Sequence, residues 1–164
     1  MVEMIADPAM LHRAMAIKED GHQKIIAQYQ ALGLLQLNND GEYHSSGGVS
    51  YADALPADGY AGGNPRLCDL WASAESQELA QGSPRMHAEF ALPYEQRSLA
   101  PFGLNGYGCC EDLTRKLDDV LTIPNPRRVS VAPTADLRRC AEQLAGHCIV
   151  SWKPQPAPPG GQPA

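Results

Sequence analysis

Two adjacent thiols and two carboxylates, Cys109, Cys110, Glu111 and Asp112, close a run that begins apolar at Phe102 and turns glycine-rich through Gly106 and Gly108. A thiol becomes a nucleophile or a metal ligand once it loses its proton, so a pair of them at one place suggests metal or thiolate chemistry. A strand ending in reactive side chains just ahead of a helix is where open α/β sheets and (β/α) barrels keep their sites. Cys109 and Glu111 are thus the candidate catalytic residues, with Cys110 beside them.

Other residues fall at places where such a site would draw on them. Asn38, Asn39 and Asp40 follow a short apolar run and suit substrate hydrogen bonds, or simply make a polar turn. Trp71 and Glu75 can line the pocket, although Trp71 equally suits the core. Tyr107 precedes the thiols. Lys153 follows the last strand, where barrels often bind an anion, or it is a solvated tail lysine. His12, His22, His87 and His147 have no partner at ligand spacing and read as surface residues.

The elements that must position these groups are legible in outline. Asp7 and Pro8 open a helix that runs to Leu32, capped and started in the usual way. Leu11, Ala14, Met15, Ile25, Tyr29 and Leu32 form its apolar face. Gly21 permits a break, costing roughly 1 kcal/mol against alanine, and Gly33 stops the helix. Residues 34–38 read as a buried strand. Residues 41–66 are rich in glycine, serine, alanine and proline, and form either a functional lid carrying Tyr43, His44, Tyr51 and Tyr60 or a poorly ordered insertion.

Residues 67–77 suit a strand into a turn or a short helix. Ser83 and Pro84 start the next helix, which Pro93 should kink or split. A regular alternation then follows: strand 104–108, helix 112–121, strand 127–132, a helix capped by Thr134 and ended by Gly146, and strand 148–152. Strands alternating with helices predict parallel βαβ units, in a small doubly wound sheet or about half of a (β/α)8 barrel.

Bulk properties bound the function classes. The 164 residues can form one domain with a real core. A net charge of -6 and no basic run argue against a nucleic-acid partner. No apolar stretch approaches the roughly 20 residues of a membrane helix, and the N-terminus lacks the pattern of a signal peptide. A cytoplasmic protein is expected. Five irregularly spaced cysteines predict reduced thiols rather than a disulfide framework.

The stretch from Ser83 to Tyr94 resembles the S-P-x-M-x-x-E-F-x-L-P-Y helix of the uroporphyrinogen decarboxylase superfamily. That superfamily includes corrinoid and coenzyme M methyltransferases, with cobalamin-independent methionine synthases among its relatives. Three further features agree: the 8–32 helix followed by A-L-G-L-L, Gly106 to Glu111 at the position of the family's H-x-C strand end, and the last two strands with the ending Ile149 to Pro154. The resemblance covers about residues 5 to 157, leaving 158–164 as a Pro/Gly-rich tail expected to be disordered.

The resemblance implies an α/β fold that is the C-terminal half of a (β/α)8 barrel, with a missing N-terminal half, another partner or a homodimer covering the open sheet edges. It implies methyl transfer at the strand carboxyl ends, with a corrinoid carried by a partner protein. The alternatives are uroporphyrinogen decarboxylation in tetrapyrrole synthesis, or a non-catalytic half barrel. In the methyltransferase branch a strand-end His and Cys bind zinc with a later Cys. Here Tyr107 occupies the histidine position, Cys109 matches the cysteine, Cys110 stands where glycine often follows, and residues 151–154 carry no later cysteine. Zinc would draw on Cys109, Cys110 and a carboxylate, Glu75 or Glu111, with His44 as a further donor.

Overall fold

The computed structural model describes residues 2–41, 43–45 and 48–155. Its centre is a four-stranded sheet formed by β3 (Trp71–Ala74), β4 (Leu104–Tyr107), β5 (Pro126–Val131) and β6 (Ile149–Trp152). All neighbours are parallel and lie in chain order, β3-β4-β5-β6. Ahead of the sheet come α1 (Glu3–Ala6), α2 (Pro8–Ala31) and the hairpin β1 (Tyr43–Ser45) with β2 (Gly48–Val49). The crossovers are α3 (Pro84–Phe90) with α4 (Leu92–Leu99), then α5 (Leu117–Val120), then α6 (Leu137–Leu144). The chain is therefore an α/β protein with a parallel sheet, as the alternation predicts. No helix among the described residues is long and apolar enough to cross a membrane.

Side-chain alternation gives the sheet two unlike faces. Tyr107, Val129 and Val131 pack with Leu92 and Leu99 of α4, Leu117 and Val120 of α5, and Cys140 and Leu144 of α6 into the main core. The opposite face carries Trp71 and Leu104, which pack on Leu55 of the 41–66 segment. Beyond them this face is polar, with Ser73, Gly106, Arg128 and Ser130 side by side. Ala52 and Leu55 thus pack against the face the helices leave uncovered.

Local chemistry explains the elements that hold. Asp7 accepts from the N–H of Met10, with Pro8 in the first turn, and Ser83 accepts from Met86 with Pro84 after it. Pro93 divides α3 from α4 as expected. Gly33 has φ +64° after the end of α2, where a side chain would be strained.

Several expectations are corrected. Residues 34–38 are not a strand, and Leu34 is 58% exposed. Instead the Asn38 side chain bonds both backbone groups of Trp71, donating Nδ2–H to its carbonyl at 3.0 Å and accepting from its N–H at 2.9 Å. An amide side chain does at the β3 edge what a strand backbone would have done. Gly21 does not break α2, which runs for 24 residues.

Of the expected helix face, Leu11 and Met15 are half-buried beside His12 where α2 leans on α4 and α3, whereas Ala14, Ile25, Tyr29 and Leu32 are exposed. The helix expected at 112–121 shrinks to Leu117–Val120. Asp112 turns its carboxylate onto the N–H and hydroxyl of Thr114, the local competition that keeps Asp out of helix interiors. Asp136, not Thr134, caps α6, accepting from Arg139 N–H at 3.1 Å. Residues 67–77 hold both alternatives, a 3-10 turn at Leu67–Asp69 followed by β3. The tail at 158–164 and the side chain of His44 lie outside the described residues.

Candidate functional site

The carboxyl ends of the strands bring four stretches together: Glu75 and Ser76 after β3, Gly108 to Glu111 after β4, Ala132 after β5 and Lys153 after β6. Gly108 makes the turn out of β4. It has φ +88°, and a Cβ there would meet Leu113 Cδ1 at 2.7 Å. The chain bends at once, so Cys109 and Cys110 do not point to opposite faces as strand neighbours would. Their sulfurs lie 3.4 Å apart, Cys109 half-buried and Cys110 exposed.

Both backbone groups of Cys109 are held. Its N–H donates to Glu111 Oε2 at 2.8 Å, and its carbonyl accepts from Lys153 Nζ at 2.9 Å. Lys153 sits 4.0 Å from the Cys109 sulfur, a position in which an ammonium favours the thiolate. Its own N–H donates to Val131 O at 3.0 Å, so the β5–β6 pairing aims the side chain across the sheet. Lys153 is thus a site neighbour rather than a solvated tail lysine.

Glu111 faces inward. It is 2% exposed, and its other oxygen accepts from Ser76 N–H at 3.2 Å. One carboxylate therefore joins the end of β3 to the end of β4, with each oxygen taken by a backbone donor. This is a positioning role, and it withdraws Glu111 from zinc ligation.

Behind the strand ends lies a buried polar chain that the sequence reading missed. His87, read from its sequence as a surface residue, is fully buried. Its Nε2 lies 2.6 Å from Tyr107 Oη, which donates onward to Glu95 Oε2 at 2.7 Å. Ser76 Oγ donates to Glu95 Oε1 at 2.6 Å. With the Tyr107 proton committed to Glu95, the network assigns the Nε2–H tautomer to His87.

Burial lowers the His87 pKa to about 4, helped by the charge of Lys116. Burial raises that of Glu95, against the pull of its Ser76 and Tyr107 bonds. Burial, then the charge of Glu95, pushes the Tyr107 phenol up, so it stays a neutral donor. Tyr107 works on the helix side of the sheet, away from the thiols. The spacing of His87 and Glu95, eight apart on neighbouring helical segments, was the available signal.

Asn38, Asn39 and Trp71 form a second group at the β3 edge. Trp71 is 5% exposed, and its Nε1–H donates to Asn39 Oδ1 at 2.8 Å. Asn39 Nδ2 donates to the carbonyls of Ala52 at 2.6 Å and Leu55 at 3.0 Å, fastening the 41–66 segment to the sheet. A cleft of about 810 Å³ lies between α2 and the β3–α4 layer, and another of about 420 Å³ borders the polar sheet face. Asn38, Trp71 and the exposed Glu75 line both.

Arg128 is the second residue whose place was missed. It is 5% exposed on the polar face, donating to Ser45, Ser73 and Ser130 hydroxyls. Its guanidinium crosses β4 over Gly106, where a Cβ would meet Nη2 at 2.8 Å.

No family model, curated protein or solved structure matches this chain.

Among the described residues, no three His, Cys, Asp or Glu side chains gather as a metal site. The two thiols are adjacent, and both Glu111 oxygens are taken by backbone donors. What the strand ends show is a half-exposed thiol beside an ammonium.

Proposed function

We propose that this chain is the C-terminal half of a (β/α)8 barrel related to the uroporphyrinogen decarboxylase-like proteins, and that its strand ends carry the thiol side of a methyl-transfer site. The observation that carries this reading is the meeting of Cys109 and Lys153 at the carboxyl ends of a parallel sheet whose strands run in chain order. That strand order is the one a barrel requires, and the carboxyl end is where barrels do their chemistry.

In this reading Cys109 stands nearest the methyl group, and Lys153 stabilises negative charge on the sulfur. Glu111 fixes the loop. Of the other candidates Glu75 stands exposed at the strand ends, while Asn38, Asn39 and Trp71 hold the amino end of β3 and Tyr107 supports the sheet from its helix side. The methyl carrier is a corrinoid presented by a partner protein.

A second reading, a half barrel inactive without a partner, is favoured by its open flanks. Ile149 and Trp152 of the outer strand β6 are 52% and 51% exposed, and Leu34 beside β3 is 58% exposed. Uroporphyrinogen decarboxylation has less support, since Arg128 is occupied by serine hydroxyls at mid-strand.

Light scattering combined with methylcobalamin titration separates the first two readings. A defined dimer whose tryptophan fluorescence is quenched saturably by methylcobalamin supports the enzyme. A monomer that shows no saturable quenching supports the inactive half.

A further inference from the structure

The two sulfurs at the site have a consequence beyond methyl transfer, resting on the same placement of Cys109. We propose that Cys109 and Cys110 form a dithiol redox site, in which a hydroperoxide oxidises the pair to a disulfide within one chain. The 3.4 Å separation leaves the sulfurs little more than one ångström from the roughly 2.05 Å of a disulfide bond. Cys110 is exposed and Cys109 half-exposed, so a small oxidant reaches both.

The flanking bonds divide the roles. Cys109 has its N–H on Glu111 and its carbonyl on Lys153, with the ammonium 4.0 Å from its sulfur. A thiolate at a fixed position is the attacking group of peroxide chemistry. Cys110 lies on the solvent side of the bend and supplies the resolving thiol. Of the remaining cysteines, Cys140 is buried in the core, burial pushes both its thiol and that of Cys148 up, and Cys68 lies ahead of β3 at the other end of the sheet.

The chemistry balances in two steps. The Cys109 thiolate attacks one oxygen of the hydroperoxide, the O–O bond breaks, and the departing alkoxide or hydroxide takes up the proton that the Cys109 thiol released on ionising. The resulting sulfenic acid is then attacked by Cys110, forming the S–S bond and expelling the hydroxyl, which leaves as water with the Cys110 proton. The sulfur pair loses two electrons and the peroxide gains them.

Adjacent residues have Cα atoms about 3.8 Å apart, closer than the usual 4.4–6.8 Å or so of disulfides. The closed ring is therefore strained and easily reopened by a monothiol. While closed, it removes the Cys109 thiol from the strand-end site.

The test uses the full chain, reduced, exposed to one equivalent of hydrogen peroxide, then alkylated and mapped by peptide mass. The expected result is a 109–110 peptide that has lost two hydrogens, escapes alkylation and is restored by glutathione. Cys110→Ser, at an exposed position and checked for fold by circular dichroism, should instead stop at a Cys109 sulfenic acid, trapped by dimedone as an adduct on that peptide. Identical products in the two proteins, or alkylation of both thiols in the unmutated chain, overturn the proposal. No methyl carrier is present, so this outcome is read separately from the methyl-transfer reading.

Discussion

Lys153 Nζ donates to the carbonyl oxygen of Cys109 at 2.9 Å and stands 4.0 Å from its sulfur, joining the carboxyl end of β6 to that of β4 across β5. The two residues are 44 apart in sequence, and the parallel sheet is what brings them together. Everything proposed for the site depends on that contact placing a positive charge beside a thiol.

Lys153→Met should therefore slow alkylation of Cys109 by iodoacetamide at neutral pH. A unit charge at about 4 Å in water is worth about 1 kcal/mol, or about fivefold in the thiolate population. Added salt should shrink the difference, because the pair is partly exposed. Rates followed by peptide mass at low and high salt provide the check.

Glu111→Gln should loosen the site without changing its shape. The substitution replaces one acceptor oxygen with an N–H group that faces a backbone N–H, leaving a buried donor unsatisfied at Ser76 or Cys109. The expected loss is about 2 kcal/mol in urea unfolding. Hydrogen exchange at the amides of Ser76 and Cys109 should accelerate more than at Val129, which lies in the core of the same sheet.

What was legible in the sequence, and what was not, follows from the range of the forces involved. The caps at Asp7 and Ser83 and the split at Pro93 are local, and the structure keeps them. The alternation in residues 127–132 reports a sheet with two different faces, and β5 has them. Residues 34–38 misled because a leucine run suits a strand or a covered loop equally, and Asn38 decided it with its side chain.

The strand-end location of Cys109 was readable from glycine and helix signals nearby. The inward turn of Glu111, the burial of His87 and the path of Arg128 across Gly106 were not, since each depends on residues 20 or more positions away.

Gly106→Ala should disturb the polar sheet face. Its methyl group would lie 2.8 Å from both Arg128 Nη2 and Ser73 Oγ, so the guanidinium must move off β4. Overpacking of this kind costs about 1–3 kcal/mol. Thermal unfolding measures the loss, and Ser73→Gly in the same chain should recover part of it.

His87 makes stability depend on pH. Its pKa is lowered to about 4 in the folded chain from an ordinary 6.5, so the unfolded chain binds the extra proton more readily between those values. Stability contributed by neutral His87 is present above about pH 6.5 and is lost as pH falls towards 4, by up to about 3 kcal/mol. Glu95, raised by burial, acts in the opposite sense, losing stability as pH rises. His87→Phe should remove the first effect and leave the second, turning the slope of unfolding free energy against pH downward across this window. Urea titrations from pH 4 to 7 provide the comparison.

The most direct measurement is transfer of a labelled methyl group from methylcobalamin to a thiol acceptor, made on chain of known oligomeric state. The account predicts transfer above the protein-free rate, lost in Cys109→Ala and kept in Cys110→Ala. Equal transfer by Cys109→Ala and the unmutated chain would contradict it.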